Sequence, residues 1–223
     1  FIAITSHELR TPLGLILGHA TFLKEIASPE YEEQVEAITR SALRLKSIIE
    51  DLSSLAHKER GESRIHRTTF SMSDLARQVA ERFREEADEM RIDLQTQIPK
   101  RGSLKVEADR EKLSSALSQV VRNALTFTDP GGMVRVHVKK LDDHVRVIVS
   151  DTGIGIPSED VPHVFDRFFQ VEAHLTRKHG GMGLGLSIAK AMVEMHGGSI
   201  GCESEENNGS TFTIDIPIKA KTV

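Results

Sequence analysis

The chain has 223 residues, enough for one large or two ordinary domains, and its composition of 39% hydrophobic and 28% charged residues is typical of a globular protein. A net charge of −4 argues against nucleic acid as a partner, and the single cysteine, Cys202, excludes an internal disulfide and fits a reducing compartment. No apolar run approaches the roughly 20 residues that cross a bilayer, so we expect no membrane contact within this sequence. Phe1 already lies in a predicted helix, so we expect a cytoplasmic fragment of a longer protein, which an upstream membrane span could anchor.

Two amphipathic helices are predicted in the first 62 residues. The apolar positions of the first are Ile2, Leu9, Leu13, Ile16, Ala20 and Leu23, and those of the second are Tyr31, Val35, Ile38, Ala42, Leu45, Ile49, Leu52 and Ala56. The three-and-four spacing is typical of a four-helix-bundle seam, and one hairpin is too small to bury both stripes. The pattern therefore favours a homodimer. The less favoured alternative is that the stripes pack against the rest of the same chain.

From about residue 63 the periodicity indicates short strands alternating with helices. The predicted strands are Arg67–Phe70, Ile92–Ile98, Leu104–Ala108, Met133–Leu141, Val145–Ser150, Ser199–Glu203 and Ser210–Ile216. The predicted helices are Ser73–Met90, Arg110–Thr126 and Leu184–His196. We expect an α+β sandwich in which helices cover one face of a mixed sheet. The long segment from Gly153 to Gly183 has glycines at both ends and is predicted to form a mobile lid.

His7 is the first candidate for chemistry. It lies off the apolar stripe, and a near-neutral imidazole can attack phosphorus. The adjacent Glu8 can accept the ring proton, and Pro12 has no N–H for the carbonyl of Glu8, which predicts a kink at this site. A lone surface histidine usually has no function, so the interpretation depends on a partner site elsewhere in the chain.

Three downstream motifs could form that partner site. Asn123 lies within a predicted helix, where its amide oxygen suits Mg²⁺, although taken alone a surface or back-bonding Asn is the more ordinary interpretation. Asp151 ends a predicted strand before Gly153 and Gly155, a pattern that fits either a base-binding carboxylate or an Asp-capped tight turn. Glycines 180, 181, 183 and 185 precede a helix whose N-terminal N–H groups can bind phosphate, with Lys178 nearby as a cation or as a solvated surface residue.

Together these motifs resemble the transmitter core of the sensor histidine kinases of two-component signalling. The matching segments are Ser6–Leu13 (H box), Gln119–Thr128 (N box), Asp151–Pro157 (first glycine box), Phe165–Phe169 (F box), Gly181–Leu186 (second glycine box) and Gly209–Phe212 (last box of the ATP site). Their order and separations match across nearly the whole chain. The resemblance implies a dimerisation and phosphoacceptor domain at residues 1–62 and a GHKL-type catalytic ATP-binding domain at residues 63–223.

The resemblance also implies a role for each matching residue. His7 takes the γ-phosphoryl group of ATP and passes it to an aspartate of a response-regulator receiver domain. Glu8 is the base, and Thr11 orients water for dephosphorylation of the regulator. Asn123 holds Mg²⁺, and Gln119 offers a second amide oxygen. The other implied nucleotide-binding residues are Asp151, Gly153, Gly155 and Ile156 at the base, Thr211 in support of Asp151, and Lys178, Gly183, Leu184, Gly185 and Leu186 at the phosphates.

Two positions depart from the family pattern. The N box commonly has Asn where this chain has Gln119, and Lys where it has Thr126, so weaker phosphate contacts are expected unless Arg122 or Lys178 compensates. Two other functions stay open on the sequence. A freely hydrolysing ATPase of the same superfamily would carry Glu at position 119, and a pseudokinase scaffold would relay conformation without chemistry.

Overall fold

The polypeptide forms two structural units that meet between Arg64 and Ile65. Unit 1 is Phe1–Arg64 and unit 2 is Ile65–Val223. The computed structural model describes residues 13–14, 16–23, 31, 35, 38–39, 42, 65–171 and 183–219.

In unit 1 the apolar stripes divide into a buried half and an exposed half. The buried positions are Leu13, Ala20, Val35 and Ala42. The exposed positions, between 44% and 56% accessible, are Ile16, Leu23, Tyr31 and Ile38. Within each stripe the two buried residues are one heptad apart, and so are the two exposed residues. Leu13, Leu17 and Ala42 pack together, which accounts for the buried half only.

The described residues of unit 2 include seven strands in two sheets. The strands are β1 (Thr68–Ser71), β2 (Asp93–Gln97), β3 (Lys105–Ala108), β4 (Met133–Lys140), β5 (His144–Asp151), β6 (Ser199–Ser204) and β7 (Ser210–Pro217). The main sheet has the order β2-β4-β5-β7-β6, with β2 and β4 parallel and the other neighbours antiparallel. Strands β1 and β3 form a separate antiparallel pair.

In the part of unit 2 that the structure describes, four α-helices cover one face of the main sheet. They are α1 (Met72–Arg82), α2 (Arg84–Glu89), α3 (Arg110–Thr126) and α4 (Gly185–Met195). Alternate strand residues such as Val147 and Phe212 point into the core and meet helix residues such as Leu117 and Val193. The α+β sandwich predicted from the sequence is therefore confirmed. None of the described helices is long and apolar enough to span a bilayer.

The predicted helix Ser73–Met90 is wrong in one respect, because it is interrupted at Phe83. This residue has φ −97° and ψ 2°, and its N–H bonds the carbonyl of Ala80, three residues back. The tightened turn separates α1 from α2 while the Phe83 ring stays in the core. Leu75, Val79 and Phe83 keep a helical spacing, so the sequence pattern contained no sign of the interruption.

Candidate functional site

The carboxylate of Asp151 is held at the end of β5 by two backbone donors. Its Oδ1 accepts hydrogen bonds from Gly153 N–H at 2.9 Å and from Ser210 N–H at 3.1 Å. No described residue donates to Oδ2. The side chain is only 9% exposed, and burial raises the pKa of Asp151, although both hydrogen bonds act to lower it. One oxygen is thus fixed, and the other is available to a ligand donor.

The turn after Asp151 approaches two other backbone segments too closely for any side chain. A Cβ on Gly153 would lie 2.1 Å from the carbonyl oxygen of Phe127, which ends α3, and Ile154 N–H donates to that same oxygen. Gly155 has φ +66°, and a Cβ there would lie 2.0 Å from the carbonyl oxygen of Glu205. The turn is therefore wedged between the end of α3 and the β6–β7 connection.

A half-buried polar stripe runs along α3 toward this turn. It consists of Ser115, Gln119, Asn123 and Thr126, which are spaced by four, four and three residues. The Asn123 side chain makes no hydrogen bond with a described residue, so its amide oxygen is available. Mg²⁺ commonly takes few protein ligands and completes its coordination shell with phosphates and water. A single neutral amide oxygen from the protein is compatible with this coordination. Among the described residues, no group of three or more His, Cys, Asp or Glu side chains could hold a metal ion.

Gln119 lies against the start of α4. A Cβ on Gly185 would lie 2.8 Å from Gln119 Oε1, so a larger residue there would displace the end of the Gln119 side chain. The N-cap residue of α4 is Leu184, whose side chain makes no capping hydrogen bond. The N–H groups of a first helical turn are suited to phosphate oxygens, and the predicted residues Gly183, Leu184, Gly185 and Leu186 form this turn. The Leu184 side chain is buried, so its contribution to a ligand is its backbone.

The start of α4 is also joined to the F-box segment. Phe168 N–H donates to the carbonyl of Gly183 at 2.9 Å, and Phe168 itself has the unusual φ of +64°. Phe165 packs edge-on against Phe212 of β7, with ring centroids 6.3 Å apart. These contacts fix residues 165–168 and Gly183 to each other and to the sheet.

Thr211 does not lie where the sequence analysis expected it. Its hydroxyl donates to Ser150 Oγ on β5 at 3.1 Å, on the sheet face opposite the helices, whereas Asp151 lies on the helix face. Ser210 is the residue on the Asp151 side. Because side chains alternate along a strand, an error of one residue changes the face, and the role expected of Thr211 passes to Ser210.

Of the two cations proposed to compensate for Thr126, the structure describes Arg122. Its guanidinium lies 5.7 Å from the centre of the Phe83 ring, at the junction of α1 and α2. In this arrangement the Arg122 guanidinium is engaged with the Phe83 ring. Lys178 lies outside the described residues, as do His7, Glu8 and Thr11.

Comparison with known families decides the class of this chain. Residues 108–220 match the family described as histidine kinase-, DNA gyrase B-, and HSP90-like ATPase. Residues 1–61 match the His Kinase A (phospho-acceptor) domain. The first match alone covers half of the chain, and the second identifies the helical hairpin. The chain belongs to the sensor histidine kinases.

The kinase is similar to a known relative and to solved structures over nearly its whole length. It is 38% identical to the circadian input-output histidine kinase CikA of Synechococcus elongatus, over 97% of this chain and 29% of the relative. The full-length structure of ShkA in complex with AMPPNP matches all of this chain and 46% of that one, with 28% identity and a TM-score of 0.79. Histidine kinase ThkA in complex with response regulator TrrA matches 97% of this chain and 60% of that one, with 29% identity and a TM-score of 0.64.

Sequence reasoning missed two serines that stabilise the site of this histidine kinase. Ser204 Oγ donates to the carbonyl of Gly209 at 2.8 Å and accepts from Ile156 N–H at 2.9 Å, so Ser210 Oγ must donate to Ser204 across their 2.9 Å contact. The pair connects the turn after Asp151, through Ile156, to β6 and β7. Neither serine stands out in the sequence, because the pair forms only when β6 and β7 are in register.

Proposed function

We propose that this chain is a histidine kinase transmitter core, with a dimerisation and phosphoacceptor domain at residues 1–62 and a catalytic ATP-binding domain at residues 63–223. It transfers the γ-phosphoryl group of ATP to His7 and then to an aspartate of a response-regulator receiver domain. The observation that carries the proposal is the Asp151 carboxylate, which is nearly buried, with one oxygen fixed and the other without a donor among the described residues.

Asp151 selects adenine as the base. Its unpaired Oδ2 accepts a hydrogen bond from the exocyclic amino group of adenine, and desolvation strengthens that bond. Guanine would present a carbonyl oxygen at the same place, so two acceptors would face each other. Gly153, Gly155 and Ile156 form the turn against which the base lies, and the Ser204–Ser210 pair stabilises it.

The phosphates lie between α3 and the start of α4. Asn123 would hold Mg²⁺ with Gln119 beside it on α3, and such an ion would supply positive charge at the phosphates. The N–H groups of the first turn of α4, whose N-cap residue Leu184 makes no side-chain cap, contact the phosphate oxygens. Lys178 supplies the positive charge that Thr126 lacks, since Arg122 lies over Phe83.

At His7 the reaction is a substitution at phosphorus. A ring nitrogen of His7 forms the new P–N bond, the bond between the γ-phosphorus and the bridging oxygen breaks, and ADP leaves with that electron pair. Glu8 accepts the proton that His7 loses. Catalysis is then mainly a matter of positioning and of charge neutralisation.

The phosphoryl group then passes to a response regulator. The relative ThkA, which was solved in complex with the response regulator TrrA, supports this class of partner. Thr11 orients water for the reverse function, hydrolysis of the phosphorylated regulator, so the same helix face both starts and removes the signal.

The functional form is a homodimer. Ile16 and Leu23 on one segment of unit 1, and Tyr31 and Ile38 on another, are exposed apolar residues one heptad apart. A second copy of the hairpin would cover these residues in a four-helix bundle, the arrangement that the phosphoacceptor family match also supports.

Incubation with γ-labelled ATP and Mg²⁺ tests the proposal. We expect acid-labile label on the wild-type chain and no label on His7→Gln. His19→Gln is the matched control, because His19 is an exposed histidine of the same unit and should be labelled like wild type. Free phosphate without labelled protein would instead identify a hydrolysing ATPase. Nucleotide binding with neither product would identify a scaffold.

A further inference from the structure

Helices α3 and α4 run antiparallel and are joined at both ends. At one end Gln119 of α3 meets Gly185, the first residue of α4, beside the candidate nucleotide site. At the other end Asp109, the N-cap of α3, meets His196, the C-cap of α4. Asn123 lies about 20 Å further along α3 than Asp109, at about 1.5 Å per residue, so Asp109 does not touch a bound nucleotide.

Three polar groups of Asp109 make hydrogen bonds, each to a different segment of the chain. Its Oδ1 accepts from the N–H groups of Glu111 and Lys112 at 3.2 and 3.1 Å and so caps α3. Its backbone N–H donates to His196 Nε2 at 3.0 Å. Its Oδ2 accepts from the backbone N–H of His66 at 3.0 Å. The side chain is only 6% exposed.

His196 completes the junction in a single tautomer. Its Nδ1 lies 2.6 Å from the carbonyl oxygen of Met192 and must donate to it, so Nε2 is the acceptor for Asp109. The side chain is 3% exposed, and burial lowers the pKa of His196, which keeps the ring neutral in this arrangement. The C-terminus of α4 is thereby attached to the N-terminus of α3.

The contact with His66 brings in a third segment. His66 is the second residue of unit 2, so its N–H belongs to the stretch through which the chain arrives from unit 1. We propose that Asp109 is a positioning residue for phosphoryl transfer. It holds the first residues of unit 2 against the N-terminus of α3 and the C-terminus of α4, and these two helices carry the nucleotide site. This inference rests on the proposed transfer to His7. Asp109 affects the rate at which bound ATP phosphorylates His7, and not the affinity for the nucleotide.

Two substitutions separate the cap from the attachment of His66. Asp109→Ser retains a hydroxyl that can cap α3, but it has no second oxygen for His66. Asp109→Asn retains the shape and, as a preferred N-cap residue, caps α3 through its amide oxygen, which places the NH₂ group against the N–H of His66. Ser71→Ala is the matched control, because it removes the N-cap of α1, which accepts from Asp74 N–H, without altering the junction.

The full chain of each variant should be assayed for Mg·ATP affinity and for the rate of His7 phosphorylation at saturating ATP. For both Asp109 variants we expect a Kd within about twofold of wild type and a rate lowered by about tenfold or more. Hydrogen exchange of the segment at 65–70 should accelerate in them and not in Ser71→Ala.

An unchanged rate at saturating ATP would overturn the inference. So would a loss of affinity as large as the loss of rate, because Asp109 would then merely support the binding site. Failure of the proposed function would be recognised separately, in the wild-type chain, by the absence of acid-labile label on His7.

Discussion

At the scale of single residues, the site depends on atoms that remain unpaired after folding. Asp151 Oδ1 is engaged by Gly153 and Ser210, whereas Oδ2 has no donor among the described residues. The same asymmetry applies to Asn123, whose backbone carbonyl ends α3 by accepting from Phe127 while its amide makes no bond to a described residue. Unpaired acceptors at the edge of a well-paired core are expected where a ligand completes the pairing.

Asp151→Asn should weaken ATP binding and reduce the preference for ATP over GTP. The amide keeps an oxygen for Gly153 and Ser210 but turns an NH₂ group toward the amino group of adenine, a mismatch worth about 1–3 kcal/mol, or about 5- to 150-fold in Kd. GTP, whose base presents a carbonyl at that place, should lose less. The measurement is the Kd of each nucleotide.

Asp142→Asn is the control for that substitution, because Asp142 is an exposed carboxylate in the β4–β5 connection. It should leave both affinities unchanged. Equal weakening of ATP and GTP by Asp151→Asn would contradict a base-reading role.

The sequence alone placed Asp151 at the end of a strand, but it did not reveal the residues that support it. A β-rich apolar run ending in Asp-Thr-Gly is a local pattern, so the end of β5 could be predicted. Asp109 and His196 are 87 residues apart, and no local pattern connects them. Their pairing exists only because α3 and α4 lie side by side.

At the scale of elements, strand register decides which residues belong to the site. Thr211 pairs with Ser150 and Phe212 with Val149, so odd-numbered residues of β7 up to Asp215 lie on the open face of the sheet. On that face Arg146 and Asp215 form a two-pronged ion pair with both distances 2.7 Å. Ser210 and Asp151 lie on the other face. The sequence assigned the contact with Asp151 to Thr211 and not to Ser210, because a motif match that is uncertain by one residue cannot distinguish the two faces of a strand.

Ser210→Ala should therefore weaken ATP binding more than Thr211→Ala. Loss of the Ser210 hydroxyl removes the bond to Ser204 and loosens the turn at Ile156, at a cost of about 0.5–1.5 kcal/mol, or about 2- to 12-fold in Kd. Thr211→Ala removes only a contact on the open face and should stay within about twofold. Titration of each variant with ATP measures both. A larger effect of Thr211→Ala would restore the original expectation.

Helix boundaries followed the sequence closely wherever a local signal ended the helix. Asp109 is an N-cap by residue type, and α3 begins and ends where it was predicted. The interruption at Phe83 had no such signal. The interruption accompanies the packing of the Phe83 ring in the core and beneath Arg122. Both are contacts between elements.

At the scale of the whole molecule, the two units differ in how completely they bury their apolar surface. Unit 2 has a continuous core that extends from α1 to β7. The described part of unit 1 buries one half of each heptad stripe and exposes the other. A hairpin in this state lowers its free energy by pairing with a second copy, which is the physical basis for the proposed homodimer.

Ile16→Glu with Leu23→Glu should convert the dimer to a monomer. Both side chains are exposed in the described part of unit 1 and lie one heptad apart, so a bundle interface would bury two carboxylates without partners. Thr21→Glu is the control, since Thr21 is exposed but lies on a different side of the helix. Sedimentation at micromolar concentration measures the change. A double variant that stays dimeric would refute this interface.

By itself the sequence determined the elements, the fold class and the family, because periodicity, caps and motif order are local properties of the chain. Only the tertiary structure decided that Ser210 and not Thr211 supports Asp151, that Arg122 faces Phe83, and that His66, Asp109 and His196 meet at one junction. These outcomes depend on register and on helix packing. Both are set by the burial of apolar side chains distant in sequence, so no short segment contains them.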